Sequence, residues 1–255
     1  MQDWRLEVEG GLARLWIARP HKRNAISLPM WAALPGLLGE LAAEPDIAIL
    51  TLRGEGGVFS GGADIEEFKT AYATQEAALA NHSVLQGAMS ALERFPKPSV
   101  AVLEGPSVGA GLGLALCCDV RIAAADARFA ITPARLGLLY AFGDVRRLVE
   151  AVGLSRAKLL LLTARTIDAE TALAWGLVDE VAADLDAALA RLNSELLEAA
   201  PFTRSALKRL FQLLRQGQRE ESEETRVLFA EGFSGPDFAE GYAAFKERRK
   251  PRFRC

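Results

Sequence analysis

Residues 59–68 read FSGGADIEEF, two glycines, a small residue and then Asp64, directly after an apolar run. Consecutive glycines let a backbone take positive φ or come close to a ligand. Acidic side chains at the next positions suit the first turn of a helix. The segment therefore reads as strand, tight loop and helix N-terminus. Free N–H groups at such a turn hold a negative charge or a polarised carbonyl oxygen. A second glycine-rich turn, GPSVGAG at 105–111, lies between another strand and an apolar helix. Small residues at 107, 109, 110, 111, 113 and 115 let a backbone or a ligand pack closely on that helix start. Tight packing explains either turn alone as well as a ligand does; two such turns, each after a strand, favour the ligand. Neither is a GxGxxG dinucleotide fingerprint, and no GxxxxGK[ST] phosphate loop occurs in the chain.

Toward the N-terminus, WRLEVEG and LARLWIAR alternate apolar and polar residues about Gly10-Gly11, which predicts a hairpin. HKRNAIS is a polar loop, and LPMWAALPGLLGELAAE is helical in period, with Pro29 near its start and Pro45 beyond its end. IAILTLRGEGG, SVAVLEG and VRIAAAD read as strands. The segment after Asp64 predicts helix through Asn81 and His82 to about Arg94, where FPKP stops it. This alternation defines an α/β sheet with crossover helices. From Arg147 onward strands nearly vanish, leaving short helices joined at Gly153, Thr166-Ile167-Asp168 and Gly176, then helix to the basic tail FKERRKPRFRC. The organisation expected is an α/β core over 1–195 and a helical region over 196–255.

The 255 residues carry a formal net charge of −3, which gives no reason to expect nucleic acid as a partner. Two histidines, His21 and His82, and three cysteines, Cys117, Cys118 and Cys255, leave little material for a metal site. Cys117 and Cys118 are adjacent in an apolar run and fit small buried side chains, so a reduced, cytoplasmic setting is expected. No charged-then-apolar leader opens the chain, and no apolar run reaches membrane-spanning length.

ARPHKRNAIS, VFSGGADIEEF, FPKPSVAVLEGPSVGAGLGLALCCDVRIAAADARFAI, ARLGL, RRLVEAVGLSRAKLLLLTARTIDAETALAWGLVDEV and GYAAFKERRKPRF run in this order over nearly the whole chain. Together they resemble the crotonase, or enoyl-CoA hydratase/isomerase, superfamily. The resemblance implies an α/β fold, a crotonase-like ββα spiral with an all-helical C-terminal trimerisation region. It also implies a homotrimer or homohexamer and a coenzyme A thioester as substrate, with no further cofactor and no metal, in chemistry of the fatty acid metabolism type. The family's two oxyanion N–H donors fall on Ala63 and Ala110, the second usually being glycine. Its CoA contacts fall near Lys22, Arg23, Ala25, Ala63, Asp64 and Ile65. Phe245 and Arg248 fall where a neighbouring part of the trimer touches the CoA nucleotide.

The departures bear on the reaction. Family hydratases carry glutamates where this chain has Gly113 and Pro133, so the oxyanion donors survive while the usual acid and base do not. TPARLGLLYAFGDVRRL places Tyr140 where proline is usual, and is similar to the TPxxLGxxY pattern of methylmalonyl-CoA decarboxylase relatives. Those relatives keep a glutamate near position 113 and a histidine near position 63. Asp144 reads as the N-cap of the helix DVRRLVEAVG, with catalysis as its other role. Glu66 and Glu67 suit a helix dipole, and His82 reads as structural. The expected function is enolate chemistry on an acyl-CoA thioester, by a lyase or isomerase, with Tyr140 as the leading polar side chain. The alternatives are decarboxylation of a malonyl-type thioester and a non-catalytic acyl-CoA binder.

Overall fold

A computed structural model of the chain describes residues 3–253, so Cys255 lies outside the described residues. Strands β1 (Trp4–Glu9) and β2 (Leu12–Ile17) pair antiparallel about Gly10-Gly11, at φ 57° and 81°. A two-residue hairpin turn with positive φ at both positions favours glycine at each. The alternation in β2 turns Ala13, Leu15 and Ile17 inward. After helix α1 (Leu28–Ala43), β3 (Ile49–Gly54) returns parallel to β2.

The chain then crosses back through α2 (Phe68–Ala71) and α3 (Gln75–Glu93) to β4 (Ser99–Leu103), which pairs parallel with β3. β5 (Pro106–Val108), α4 (Ala110–Ala115), β6 (Val120–Ala124) and β7 (Arg128–Ala130) come after it. Next are α5 (Phe142–Thr163), β8 (Thr166–Asp168), α6 (Ala169–Trp175) and β9 (Glu180–Ala182). α7 (Leu185–Glu198), α8 (Pro201–Arg215), α9 (Glu223–Glu231) and α10 (Pro236–Glu247) close the chain. The larger sheet has the order β1-β2-β3-β4-β6-β9 and the smaller β5-β7-β8, as the expected ββα spiral requires.

β4 is buried at every position, as expected of a central parallel strand covered on both faces. On one face Leu50, Leu52, Ala101 and Leu103 join the main core with residues of α1, α3, α4 and α5. On the other, Ile49, Val100, Val102 and Ile122 pack beneath Leu185 and Ala188 of α7. Lys208 of α8 is buried, with Nζ 2.7 Å from Asp119 Oδ2, and Asp119 also accepts from the backbone N–H and hydroxyl of Ser99. That ion pair ties α8 to the start of β4.

Two expectations need correction. The helix expected to run unbroken from Asp64 to about Arg94 is interrupted at Tyr72–Thr74. Thr74 takes an extended conformation and its hydroxyl accepts from Ala77 N–H at 3.2 Å, so α3 has its own N-cap and its own direction. Strands also persist beyond Arg147, since β8 and β9 each add three residues to a sheet. Three residues are too few to display a period of two against helical surroundings. The joints at Gly153 (φ 78°) and Gly176 (φ 79°) are present; Gly153 kinks α5 and Gly176 ends α6 in the left-handed region.

The end of β3 sets the course of the loop at 58–62. A Cβ on Gly54 would run into the carbonyl oxygens of Val58 and Phe59 and lie 2.7 Å from Phe59 Cα. Gly54→Ala should therefore destabilise the fold by about 3 kcal/mol, the upper range for overpacking. By calorimetry that is a fall in Tm of about 6–12 °C for a chain of this size. An unchanged Tm would mean that the loop yields without cost.

Candidate active site

Loop Val58–Gly62 is held by side chains from the ARPHKRNAIS stretch. Asn24 is fully buried and donates through Nδ2 to the carbonyls of Glu55 (2.7 Å) and Val58 (2.5 Å), while its Oδ1 accepts from Arg19 N–H. Ser60 Oγ donates to Asn24 O at 2.8 Å and accepts from Gly62 N–H at 3.1 Å. The backbone of Ser60 is zipped to β5, donating to Pro106 O and accepting from Val108 N–H. Gly62, at φ 104°, lies so close to the second glycine turn that a Cβ there would stand 2.9 Å from Val108 O and 3.7 Å from Ala110 N. The two glycine-rich turns are thus one construction.

The two expected donors lie at this junction. Gly62 O accepts from Ile26 N–H and Asp64 N–H donates to Ile26 O, so by strand alternation the intervening Ala63 N–H faces away from Ile26. Ala110 is the first residue of α4, where an N–H has no intrahelical partner, and Gly109 before it is at φ 51°, ψ −122°. Among the described residues neither N–H has a hydrogen-bond acceptor. Both alanines line one cavity of about 210 Å³. Ile65 and Phe68 wall it on one side, Leu85, Gln86 and Met89 of α3 on another, and Leu136, Leu138 and Tyr140 on a third.

Asp144 reaches the same cavity from the first turn of α5. It is not the N-cap expected from the sequence, because the helix starts two residues earlier and Ala141 holds that position. The carboxylate turns inward, Oδ1 accepting from Arg147 Nη1 at 3.0 Å and Oδ2 from Gln86 Nε2 at 3.1 Å. Burial pushes Asp144 above the usual carboxylate range, against the opposing pull of Arg147. Glu93, next along the network, would also be raised by burial, but Arg146 and Arg147 together hold it below that range. A buried and a half-buried carboxyl on one arginine network are pushed in opposite directions, and the one in the cavity is the one inclined to take a proton.

Tyr140 is buried, and its hydroxyl donates to Gly109 O at 3.0 Å. Burial pushes its phenol well above the ordinary tyrosine range. Gly113 faces it: a Cβ there would lie 2.8 Å from Tyr140 Oη, 3.2 Å from Met89 Cε and 3.4 Å from Asp144 Oδ1. A side chain at position 113 would therefore collide with the tyrosine hydroxyl and crowd the Met89 methyl, with the aspartate at contact distance. Pro133 begins a short 3₁₀ turn on the cavity wall.

The expected CoA contacts fall beside the first glycine turn. Asp64 would be raised by its burial, but Arg19 (Nη2 3.1 Å from Oδ2), the Glu66 N–H and Lys22 hold it below the usual carboxylate range. Lys22 pairs with Glu66 and lies 3.6 Å from Asp64; its ammonium is raised by the Glu66 hydrogen bond. Arg23 is exposed and its carbonyl accepts from Gly61 N–H, and Ala25 is half-buried beside it. Ile65 is exposed at the cavity rim. Phe245 is 82% exposed and Arg248 caps α10 at φ 54°; neither lines the cavity of its own chain.

Sequence reasoning missed His82 and Gln86. Both line the cavity, and the charge of His82 opposes the upward shift of Asp144. A signal was present, since 82, 85, 86 and 89 follow the i, i+3, i+4, i+7 spacing of one helix face. Among the described residues no cluster of His, Cys, Asp and Glu could hold a metal ion, and no helix is long and apolar enough to cross a membrane.

Comparison with known proteins identifies the family. Residues 7–255 match the enoyl-CoA hydratase/isomerase family profile. The bovine mitochondrial enoyl-CoA hydratase domain-containing protein 2 is 32% identical over 255 residues, covering 95% of this chain and 84% of that protein. A crystal structure of an enoyl-CoA hydratase/isomerase family protein from Hyphomonas neptunium superposes with a TM-score of 0.95 at 39% identity, over 99% of this chain and 97% of that one. An enoyl-CoA hydratase/carnithine racemase from Magnetospirillum magneticum gives 0.95 at 33% identity, over 100% and 96%. The crotonase fold defines the class. The chain belongs to the enoyl-CoA hydratase/isomerase family and is an acyl-CoA enzyme of that family.

Proposed function

We propose that the protein moves a proton within an acyl-CoA thioester through an enolate, converting a 3-enoyl thioester into the conjugated 2-enoyl isomer. The observation that carries this is Asp144, the one carboxylate among the described cavity residues, sharing the cavity with the free N–H groups of Ala63 and Ala110. The Asp144 carboxylate takes a proton from C2 of the acyl group. The electron pair passes to the thioester carbonyl, whose oxygen becomes negative and receives the two N–H groups. The same proton returns to C4 as the carbonyl reforms, leaving the double bond between C2 and C3. One carboxylate serves both transfers, and its upward shift suits a group that must hold the proton between them.

Hydration asks for more, because a water must be oriented and its proton moved, and Gly113 and Pro133 stand where a pair of glutamates would do this. A malonyl-type substrate would bring a second carboxylate toward Asp144, and no lysine or arginine is among the described residues lining the cavity. CoA binding by Lys22, Arg23, Ala25, Asp64 and Ile65 belongs to the same proposal. So does a trimer in which Phe245 and Arg248 serve a neighbour's site, supported by the exposed aromatic rings of Phe229, Phe233 and Phe245 on α9 to α10. A cytoplasmic setting without further cofactor is part of it, supported by the buried thiols of Cys117 and Cys118.

The test is absorbance of the conjugated enoyl thioester. With trans-3-hexenoyl-CoA it should rise at an enzymatic rate, and with crotonyl-CoA it should fall far more slowly. Rapid loss from crotonyl-CoA would restore the hydratase reading. Acyl-CoA affinity without turnover of 3-hexenoyl, crotonyl or malonyl thioesters would leave a binder.

A further inference from the structure

Tyr140 lines the cavity but its hydroxyl is held by the protein's own backbone. Its hydroxyl proton is engaged by Gly109 O at 3.0 Å, and the same oxygen accepts the Gly113 N–H at 3.0 Å. Gly109 O and Ala110 N–H belong to one planar peptide unit and point in opposite directions across it. Two donors on the carbonyl therefore fix the plane that aims the Ala110 N–H into the cavity. They also draw electron density toward the oxygen, which strengthens that N–H as a donor. Gly109, at φ 51° and ψ −122°, cannot supply this rigidity itself, because glycine is the most freely turning residue in the chain. The space for the hydroxyl exists because position 113 lacks a Cβ, which would stand 2.8 Å from Oη.

We infer that Tyr140 is a positioning residue that orients and polarises the Ala110 N–H, and that Gly113 is its obligate partner. The inference rests on the proposed role of the Ala63 and Ala110 donors. It accounts for the joint appearance of a glycine at 113 and a tyrosine at 140, since a larger side chain at 113 would displace the hydroxyl from Gly109.

The experiment uses full-length wild type, Tyr140→Phe, Gly113→Ala and the double variant. Kinetics with trans-3-hexenoyl-CoA are combined with infrared difference spectra of bound hexanoyl-CoA carrying ¹³C at the thioester carbon. Wild type should lower the carbonyl stretch of the bound thioester. Tyr140→Phe should show a smaller lowering and a kcat reduced about tenfold, the scale of one hydrogen bond, at nearly constant KM. Gly113→Ala should do the same by pushing the hydroxyl away. In the double variant its further effect should largely disappear, because with the oxygen gone the only close neighbour left is the flexible end of Met89, 3.2 Å away. A full wild-type carbonyl shift and kcat in Tyr140→Phe would overturn the brace while the two-donor reading stands. Absence of any shift in wild type would overturn both. Additive losses in the double variant would overturn the partnership of Gly113 and Tyr140.

Discussion

Replacing Asp144 by asparagine should lower kcat on a 3-enoyl-CoA by about 10²–10⁴-fold, the usual range for loss of a general base, with acyl-CoA affinity nearly unchanged. The substitution keeps side-chain volume and an oxygen for Arg147, and Gln86 can turn its amide to meet the new NH₂ group. Arg147 also keeps Glu93, 3.1 Å away, so no charge is left buried and unpaired. The pH profile separates a base from a mere support. Asp144 acts as a base when ionised, so wild-type kcat should rise with pH through its folded pKa, which lies above the ordinary 3.8. That limb should be absent from the residual activity of the variant. The stability linkage has a definite sign. A carboxyl raised on folding favours the native state below its unfolded pKa, and this contribution is lost as pH rises from 3.8 through the folded pKa. Glu93, lowered on folding, contributes stability above its ordinary 4.5 that is lost as pH falls. Asp144→Asn should therefore be at least as stable as wild type at neutral pH. Unchanged kcat in Asp144→Asn would remove the carboxylate from the chemistry and with it the proposed isomerisation.

Much of the fold was legible because its two glycine-rich turns are short-range features. Gly62 and Gly109 have positive φ, a demand that leaves a direct trace in residue identity. The same holds for the hairpin glycines and the joints at Gly153 and Gly176. The cavity was less legible because its walls are made by direction. The sequence offers Asp144 three residues before Arg147 in a new helix, a spacing that suits a cap as well as an inward ion pair. The choice is made by Gln86 and Glu93 on α3, which belong to the site only once the sheet has brought α3 against α5. His82 was passed over for a related reason. Its helix breaks at Tyr72–Thr74, so distance along the sequence from the glycine turns misstates distance in space. The absence of glutamate at 113 reads in one dimension as a loss, whereas in three dimensions the tyrosine hydroxyl and the Met89 methyl crowd that volume.

Proline at position 110 should reduce kcat by about 10²–10³-fold, the loss found when one oxyanion donor is removed. A backbone N–H is ordinarily beyond the reach of mutagenesis, but Ala110 is the first residue of α4, where proline is favoured and no intrahelical hydrogen bond is lost. The residue before a proline is disfavoured in the α region. Gly109, at ψ −122°, already lies outside it, so Ala110→Pro removes the donor while the turn keeps its course. Thermal unfolding should show a Tm close to that of wild type, which distinguishes this variant from Gly54→Ala. The proline ring also places carbon where the N–H hydrogen was, and kinetics separate that bulk from the missing donor. Crowding of the bound thioester raises KM, whereas loss of an interaction made in the transition state lowers kcat and kcat/KM together. Ala110→Gly keeps the N–H and should remain within a few fold of wild type. If Ala110→Pro folds and retains full kcat, the Ala110 N–H does not stabilise the enolate, and the inferred action of Tyr140 through that peptide fails with it. If kcat falls while the Tm and the acyl-CoA affinity hold, the pairing of the two glycine turns that makes the fold recognisable is also what stabilises the developing negative charge.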